Sequence, residues 1–217
     1  MGIKGAIFDM DGTLLDSMKA WYCLGEAFLK EKGIQAEEGL SEKIKTMQME
    51  DAAVYIKEKY LPDEKPEDIA RSILDVIKVQ YETSIQEKDG IRIVLDELKE
   101  RKIPMCVASA TDIELVRCAL KRTKLIDYFD DIFCCRDVGE GKLSDRIYQT
   151  ARESMKSKVE ETVVFEDALH AAQTAKKAGF SLVCIYDEME THQEEMKKIG
   201  DIYLTSFREW PGIDKIK

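Results

Sequence analysis

The sequence predicts an α/β protein: a parallel sheet with helices between its strands, interrupted early by a small, separate helical domain. Three observations carry this. Short apolar runs recur along the chain without the alternation of a half-exposed strand, as strands buried on both faces do. From Gly90 onward these runs alternate with helical periodicities, the order that builds a parallel sheet. Between Asp16 and Glu87 there are helical periodicities and no convincing strand.

The first run covers residues 3–8 and stops abruptly at Asp9-Met10-Asp11-Gly12-Thr13. The insertion follows. Met18, Trp21, Tyr22, Phe28 and Leu29 keep helical period, and so do Ile69, Ile73, Val76, Ile77 and Tyr81, after Pro66 in a first turn. The chain leaves the sheet near Asp16 and rejoins it near residues 88–90. We therefore divide it into a core of residues 1–15 and 88–217 and an inserted domain of residues 16–87. In the core, Ile91, Val94, Leu95 and Leu98 mark a helix, and residues 103–108 a strand. Residues 132–135 mark another strand. Ile147, Tyr148, Ala151 and Met155 mark a helix with Ser144 as its N-cap. Residues 162–165 form the next strand. Ala168, Ala171, Ala172, Ala175 and Ala178 give a small-residue helix face, stopped by Gly179. Residues 182–185 and, more weakly, 202–204 close the series.

Composition narrows the function. Of the 217 residues, 44% are hydrophobic and 8% aromatic, ample for a packed core, so a disordered chain is excluded. A net charge of −10 disfavours general binding to nucleic acid or to anionic membrane; a small anion needs a local cation instead. No apolar run is long enough to span a bilayer, and the apolar stretch at the N-terminus is too short for a signal-peptide core. The expected location is the cytoplasm, the expected state a monomer. The six cysteines form no C-x-x-C pair and read as reduced, buried thiols, with Cys106, Cys134, Cys135 and Cys184 in β-like runs. Only two histidines, His170 and His192, are present, which disfavours a His-rich zinc site.

In open parallel sheets, ligands bind beyond the carboxyl ends of the strands. There the sequence places Asp9, Asp11, Gly12 and Thr13, then Ser109, Ala110 and Thr111, then Lys142 some residues beyond the third core strand, then Glu166 and Asp167. Carboxylates gathered this closely repel, and some stay protonated unless a cation sits among them. Oxygen donors without His or Cys favour Mg²⁺ over zinc. Lys142 adds a point charge, Ser109 a hydroxyl, and the Gly12 turn backbone N–H groups for an anion. Phosphoryl transfer uses these parts. Asp9, ending its strand, can attack phosphorus, and Asp11 can protonate the leaving oxygen and then deprotonate water. Each residue also has a plainer reading: Ser109 as a helix N-cap, Lys142 as a surface lysine, Glu166-Asp167 as a helix-capping pair, and Trp21 and Tyr22 as core of the insertion.

Asp9-Met10-Asp11-Gly12-Thr13-Leu14-Leu15-Asp16-Ser17 resembles the first motif of the haloacid dehalogenase superfamily, D-x-D-G-T-L-x-D-S. Ser109 in Val107-Ala108-Ser109-Ala110-Thr111 resembles its second motif, Lys142 its third and Glu166-Asp167 its fourth. The resemblance covers essentially the whole chain and is closest to the branch of β-phosphoglucomutase and phosphoglycolate phosphatase-like enzymes. It implies a Rossmann-like core, a mobile helical cap and Mg²⁺-dependent hydrolysis of a phosphomonoester through an aspartyl-phosphate. By resemblance, Asp9 is nucleophile and metal ligand. Asp11 is general acid/base and offers its backbone carbonyl to the metal. Ser109, with Ala110 beside it, and Lys142 hold the phosphoryl oxygens; Glu166 and Asp167 complete the metal site.

The chain departs from the family pattern in two loops. Leu143-Ser144-Asp145 stand where the family has Pro-x-Pro after its lysine, and Ala168 and Ala171 where it has Ser and Gly. Asp11 disfavours the dehalogenases and phosphonatases of the superfamily, which lack an aspartate there. In an ungapped register, Met49, Trp21 and Asp112-Ile113 stand where the mutase has a basic phosphate contact, a histidine and Lys-Asn. A phosphatase acting on a small phosphorylated metabolite is therefore expected. A sugar-phosphate mutase is the alternative, and a non-catalytic phosphate- or protein-binding module the alternative from another class. Residues 16–22 and 46–53 are expected to select the substrate.

Overall fold

The structure, a computed structural model, describes residues 2–45 and 47–216. Thr46, among the expected substrate-selecting residues, lies outside the described residues, as do the chain ends Met1 and Lys217. Among the described residues six strands form one parallel sheet: β1 (Gly5–Phe8), β2 (Met105–Ser109), β3 (Asp131–Cys134), β4 (Thr162–Glu166), β5 (Ser181–Ile185) and β6 (Ile202–Leu204). Their spatial order is β3-β2-β1-β4-β5-β6. This is the doubly wound order, and its switch point lies between β1 and β4.

The four inner strands are buried at every residue, which explains their unbroken apolar runs. The two edge strands differ from the expectation of burial on both faces. In β3 Asp131 is exposed and Ile132 and Phe133 are half-buried, and in β6 Ile202 and Tyr203 are half-buried. An edge strand has a neighbour on one side only.

The core helices are α6 (Ile91–Glu100), α7 (Ile113–Arg122), α8 (Cys135–Val138), α9 (Arg146–Ser154), α10 (Leu169–Lys177) and α11 (Gln193–Ile199), numbered after five helices of the insertion. Ile91, Val94, Leu95 and Leu98 are fully buried on α6, as their spacing predicts. Cys135, expected to end a strand, opens α8 instead. Ser144 stands one residue before the N-cap Asp145, and its hydroxyl accepts the Arg146 N–H at 3.3 Å. Gly179 ends α10 at φ +94°, with the Phe180 N–H returning to the Ala175 carbonyl at 3.2 Å. All six cysteines are free thiols. Cys106, Cys134 and Cys184 are buried, whereas Cys23, Cys118 and Cys135 are only half-buried.

Residues 18–85 form a compact unit of their own, distinct from residues 2–17 and 86–216. The unit holds α1 (Met18–Tyr22), α2 (Leu24–Glu31), α3 (Leu40–Ile44), α4 (Met49–Tyr60) and α5 (Pro66–Thr83). Pro66 takes the first turn of α5, where its missing N–H costs nothing. α5 packs against α2 and α4 and buries Ile69, Ile73, Val76, Ile77 and Tyr81. Trp21 is half-buried and donates its indole N–H to the Tyr81 hydroxyl at 2.8 Å. The chain leaves and re-enters the core side by side. The Asp16 N–H donates to the Gln86 carbonyl at 2.9 Å, and the Lys88 N–H to the Leu14 carbonyl at 2.8 Å. Among the described residues no helix is long and apolar enough to cross a membrane.

Candidate active site

Strand register brings the chemistry together. Phe8 pairs with Phe165 on one side and Val107 on the other, and the Phe8 and Phe165 rings stack at 4.2 Å. The Asp9 N–H then donates to the Phe165 carbonyl at 3.0 Å, so Asp9 leaves β1 alongside Glu166 at the end of β4. Asp9, Glu166 and Asp167 are all buried, and each offers a carboxylate oxygen within 4.8 Å of the others'. Lys142 is buried beside them. Its ammonium donates to Asp9 Oδ1 in a very short contact and to Glu166 Oε1 at 2.6 Å. The loop that lacks the family's prolines thus still delivers its lysine to the acids.

Asp11 points elsewhere. Its carboxylate accepts the Ser17 hydroxyl at 2.6 Å and the Thr111 hydroxyl at 2.7 Å, and it is not one of the three clustered acids. Ser109 is fully buried at the end of β2, and its hydroxyl accepts the Thr111 N–H at 3.0 Å. It does not cap α7; Asp112 does, through the Glu114 N–H. Ala110 follows, exposed. Glu166 and Asp167 do not cap α10 either, since the Leu169 N–H donates to Glu190 at 3.0 Å. Gly12 adopts φ +86°, but its own N–H is taken by the Leu15 carbonyl at 2.8 Å rather than aimed outward.

The electrostatics follow from burial. Desolvation pushes the Asp9 carboxyl up to about 8; Lys142 opposes this, while Glu166 and Asp11 add to it. Burial, Asp9, Glu166 and Asp187 together hold Asp167 well above the usual carboxylate range. Burial works against the Lys142 ammonium, but Asp9 and Glu166 more than offset it and hold it protonated. A second cation would relieve the remaining repulsion. The donors of Asp9, Glu166 and Asp167 are all oxygen, which suits a hard divalent ion such as Mg²⁺.

Several contacts were not assigned from the sequence. Thr13 donates to Asp167 at 3.2 Å, and the Tyr148 hydroxyl to Glu166 Oε1 at 2.7 Å. Asp187, just beyond β5, is buried and pairs with Lys88 at 2.6 Å. Tyr148 carried one signal, because a tyrosine in a core helix stripe needs a partner for its hydroxyl. Asp187 carried none, since its partner is 99 residues away.

A parallel sheet of this strand order, with acids and a lysine gathered at its switch point, is the arrangement of α/β enzymes, in which ligands bind at the carboxyl ends of the central strands. The family model for haloacid dehalogenase-like hydrolases matches residues 6–185, and the chain belongs to that family. It is 25% identical to a phosphorylated carbohydrates phosphatase of Thermotoga maritima over 83% of this chain and 84% of that one. It is 26% identical to the fructose-1-phosphate phosphatase YqaB of Escherichia coli, over 82% and 94%. Its fold matches that of CbbY from Rhodobacter sphaeroides, solved in complex with phosphate, at a TM-score of 0.78 and 23% identity over 99% of both chains.

Proposed function

We propose that the protein is a Mg²⁺-dependent phosphatase of a small phosphorylated metabolite, acting through an aspartyl-phosphate on Asp9. The observation that carries this is the buried set of Asp9, Lys142, Glu166 and Asp167 at the ends of β1 and β4, with Asp11 two residues beyond Asp9. Relatives named for phosphorylated carbohydrates and fructose 1-phosphate make a sugar phosphate the favoured substrate class.

Asp9 attacks phosphorus, and an Asp9 Oδ–P bond forms as the bond to the leaving oxygen breaks. Asp11 gives its proton to that oxygen. Water then attacks the phosphorus, Asp11 takes the proton, and the Asp9–phosphorus bond breaks. Ser17 and Thr111 hold the Asp11 carboxylate in one orientation for both transfers. Lys142, Ser109 and Ala110 take the phosphoryl oxygens. Asp9, Glu166, Asp167 and the Asp11 backbone carbonyl would hold Mg²⁺, which would supply charge neutralisation for the phosphoryl group.

Phosphate release from a panel of phosphorylated metabolites and one aryl phosphate, with Mg²⁺ and with chelator, tests this. Release from some members of the panel, lost on chelation together with a fall in melting temperature, is expected. Conversion of a sugar phosphate to its isomer without free phosphate would make the protein a mutase. No turnover on any substrate would make it a binding module.

A further inference from the structure

Tyr148 is fully buried on α9 and packs edge-on against Phe180 at 6.1 Å. Its hydroxyl reaches Glu166 Oε1 at 2.7 Å, the same oxygen to which Lys142 donates at 2.6 Å. Among the described residues Glu166 Oε2 accepts no hydrogen bond, so the two donors converge on one oxygen and leave the other for a ligand. The Lys142 ammonium lies 6.0 Å from the centre of the Tyr148 ring. One rigid side chain therefore bonds the acid and lies beside the lysine.

We propose that Tyr148 is a positioning residue for the metal site: its hydroxyl fixes the Glu166 carboxylate so that Oε2 faces the cation. This rests on the proposed reading of Asp9, Glu166 and Asp167 as the Mg²⁺ site. A carboxylate with Lys142 as its one partner can rotate, and its two oxygens then compete for one ammonium. Tyr148 prevents this by holding Oε1 from a helix of the core. Partners that orient a metal ligand in this way typically change metal affinity or activity about 10–100-fold when removed.

The test titrates Mg²⁺ alone, without substrate, by calorimetry into wild type, Tyr148→Phe and Phe180→Leu. Tyr148→Phe is expected to bind Mg²⁺ about tenfold more weakly or worse. Its metal-free melting temperature should stay close to wild type, because Glu166 keeps Lys142. Phe180→Leu should melt lower and bind Mg²⁺ as wild type does. In a Glu166→Gln background, adding Tyr148→Phe should cost no further affinity, because Tyr148 acts through Glu166. Equal affinity in wild type and Tyr148→Phe overturns the proposal, as does a fully additive loss in the double variant. A Tyr148→Phe chain that does not fold shows a purely structural role and overturns it likewise. Wild type that binds no Mg²⁺ overturns the metal-site reading as well.

Discussion

Asp9 and Asp11 stand two residues apart in one turn and occupy different chemistry. Asp9 is buried against an ammonium; Asp11 is half-buried between two hydroxyls. Replacing each by Asn should therefore separate their roles. On the proposed mechanism Asp9→Asn is expected to form no phosphoryl-enzyme. In the same mechanism Asp11→Asn keeps the nucleophile but loses proton transfer, an expected cost of about 10²–10⁴ in rate. It should accumulate phosphoryl-Asp9 with a nitrophenyl phosphate, whose leaving group needs little protonation. Mass spectrometry after acid quench checks this, and a phosphoryl group on the Asp9→Asn chain would contradict it. Asp9 also sets a pH dependence. Its folded carboxyl titrates at about 8, against an ordinary value of 3.8. Between those values the folded, metal-free chain holds the proton that the unfolded chain has lost, so stability falls as pH rises. The contribution is complete below about pH 4 and gone above about pH 8. Melting in chelator should fall with pH more steeply for wild type than for Asp9→Asn, and Mg²⁺ should raise the wild-type melting temperature more at the higher pH. Equal slopes for the two proteins would contradict the assignment.

The helices and strands show how far sequence reaches. Interior strands were legible because burial on both faces leaves an uninterrupted apolar run. The edges were less so: the apolar run of β3 continues into Cys135, which the backbone turns into α8. Asp9, Glu166 and Asp167 were legible because they end or follow β1 and β4, at the rim where the fold gathers ligands, whereas Lys142 lies beyond α8 and rested on the resemblance. Tyr148 and Asp187 were not legible, because their contacts depend on helix docking and on a pairing across the chain. Glycine positions behave similarly. Gly90 opens α6 at φ +80°, and a Cβ there would lie 2.8 Å from the Arg208 backbone nitrogen. Gly33, at φ +74°, has open space around it. Both Ala variants incur left-handed strain of about 1 kcal/mol or more, and Gly90→Ala adds a backbone clash. Urea unfolding should show Gly90→Ala as clearly the less stable of the two. Equal losses would mean that the Arg208 segment yields freely.

At the scale of the whole molecule, the acidic balance and the site belong together. A protein of net charge −10 that gathers three buried acids can hold an anionic phosphate only by concentrating cations at one point. Lys142 is one such cation, and the proposed Mg²⁺ the other. The paired crossings between Leu14–Asp16 and Gln86–Lys88 bear on the order in which the chain folds. β1 pairs with β2 only after the whole of residues 9–104, the inserted unit among them, has been brought to closure, which for a flexible loop of roughly 100 residues costs about 4 kcal/mol in entropy. The Trp21–Tyr81 hydrogen bond joins the first and last helices of the inserted unit within the unit itself. Once those helices have docked, the span left to close shrinks to residues 9–20 and 82–104, the second stretch carrying α6, and the search for the strand pairing shortens accordingly. Trp21→Phe should then slow refolding more than it speeds unfolding, a ratio that stopped-flow chevrons measure directly. An effect confined to the unfolding limb would place sheet formation ahead of the insertion. In the favoured order, the inserted helices shorten the search for the strand partner of Asp9's own strand before any ligand is bound.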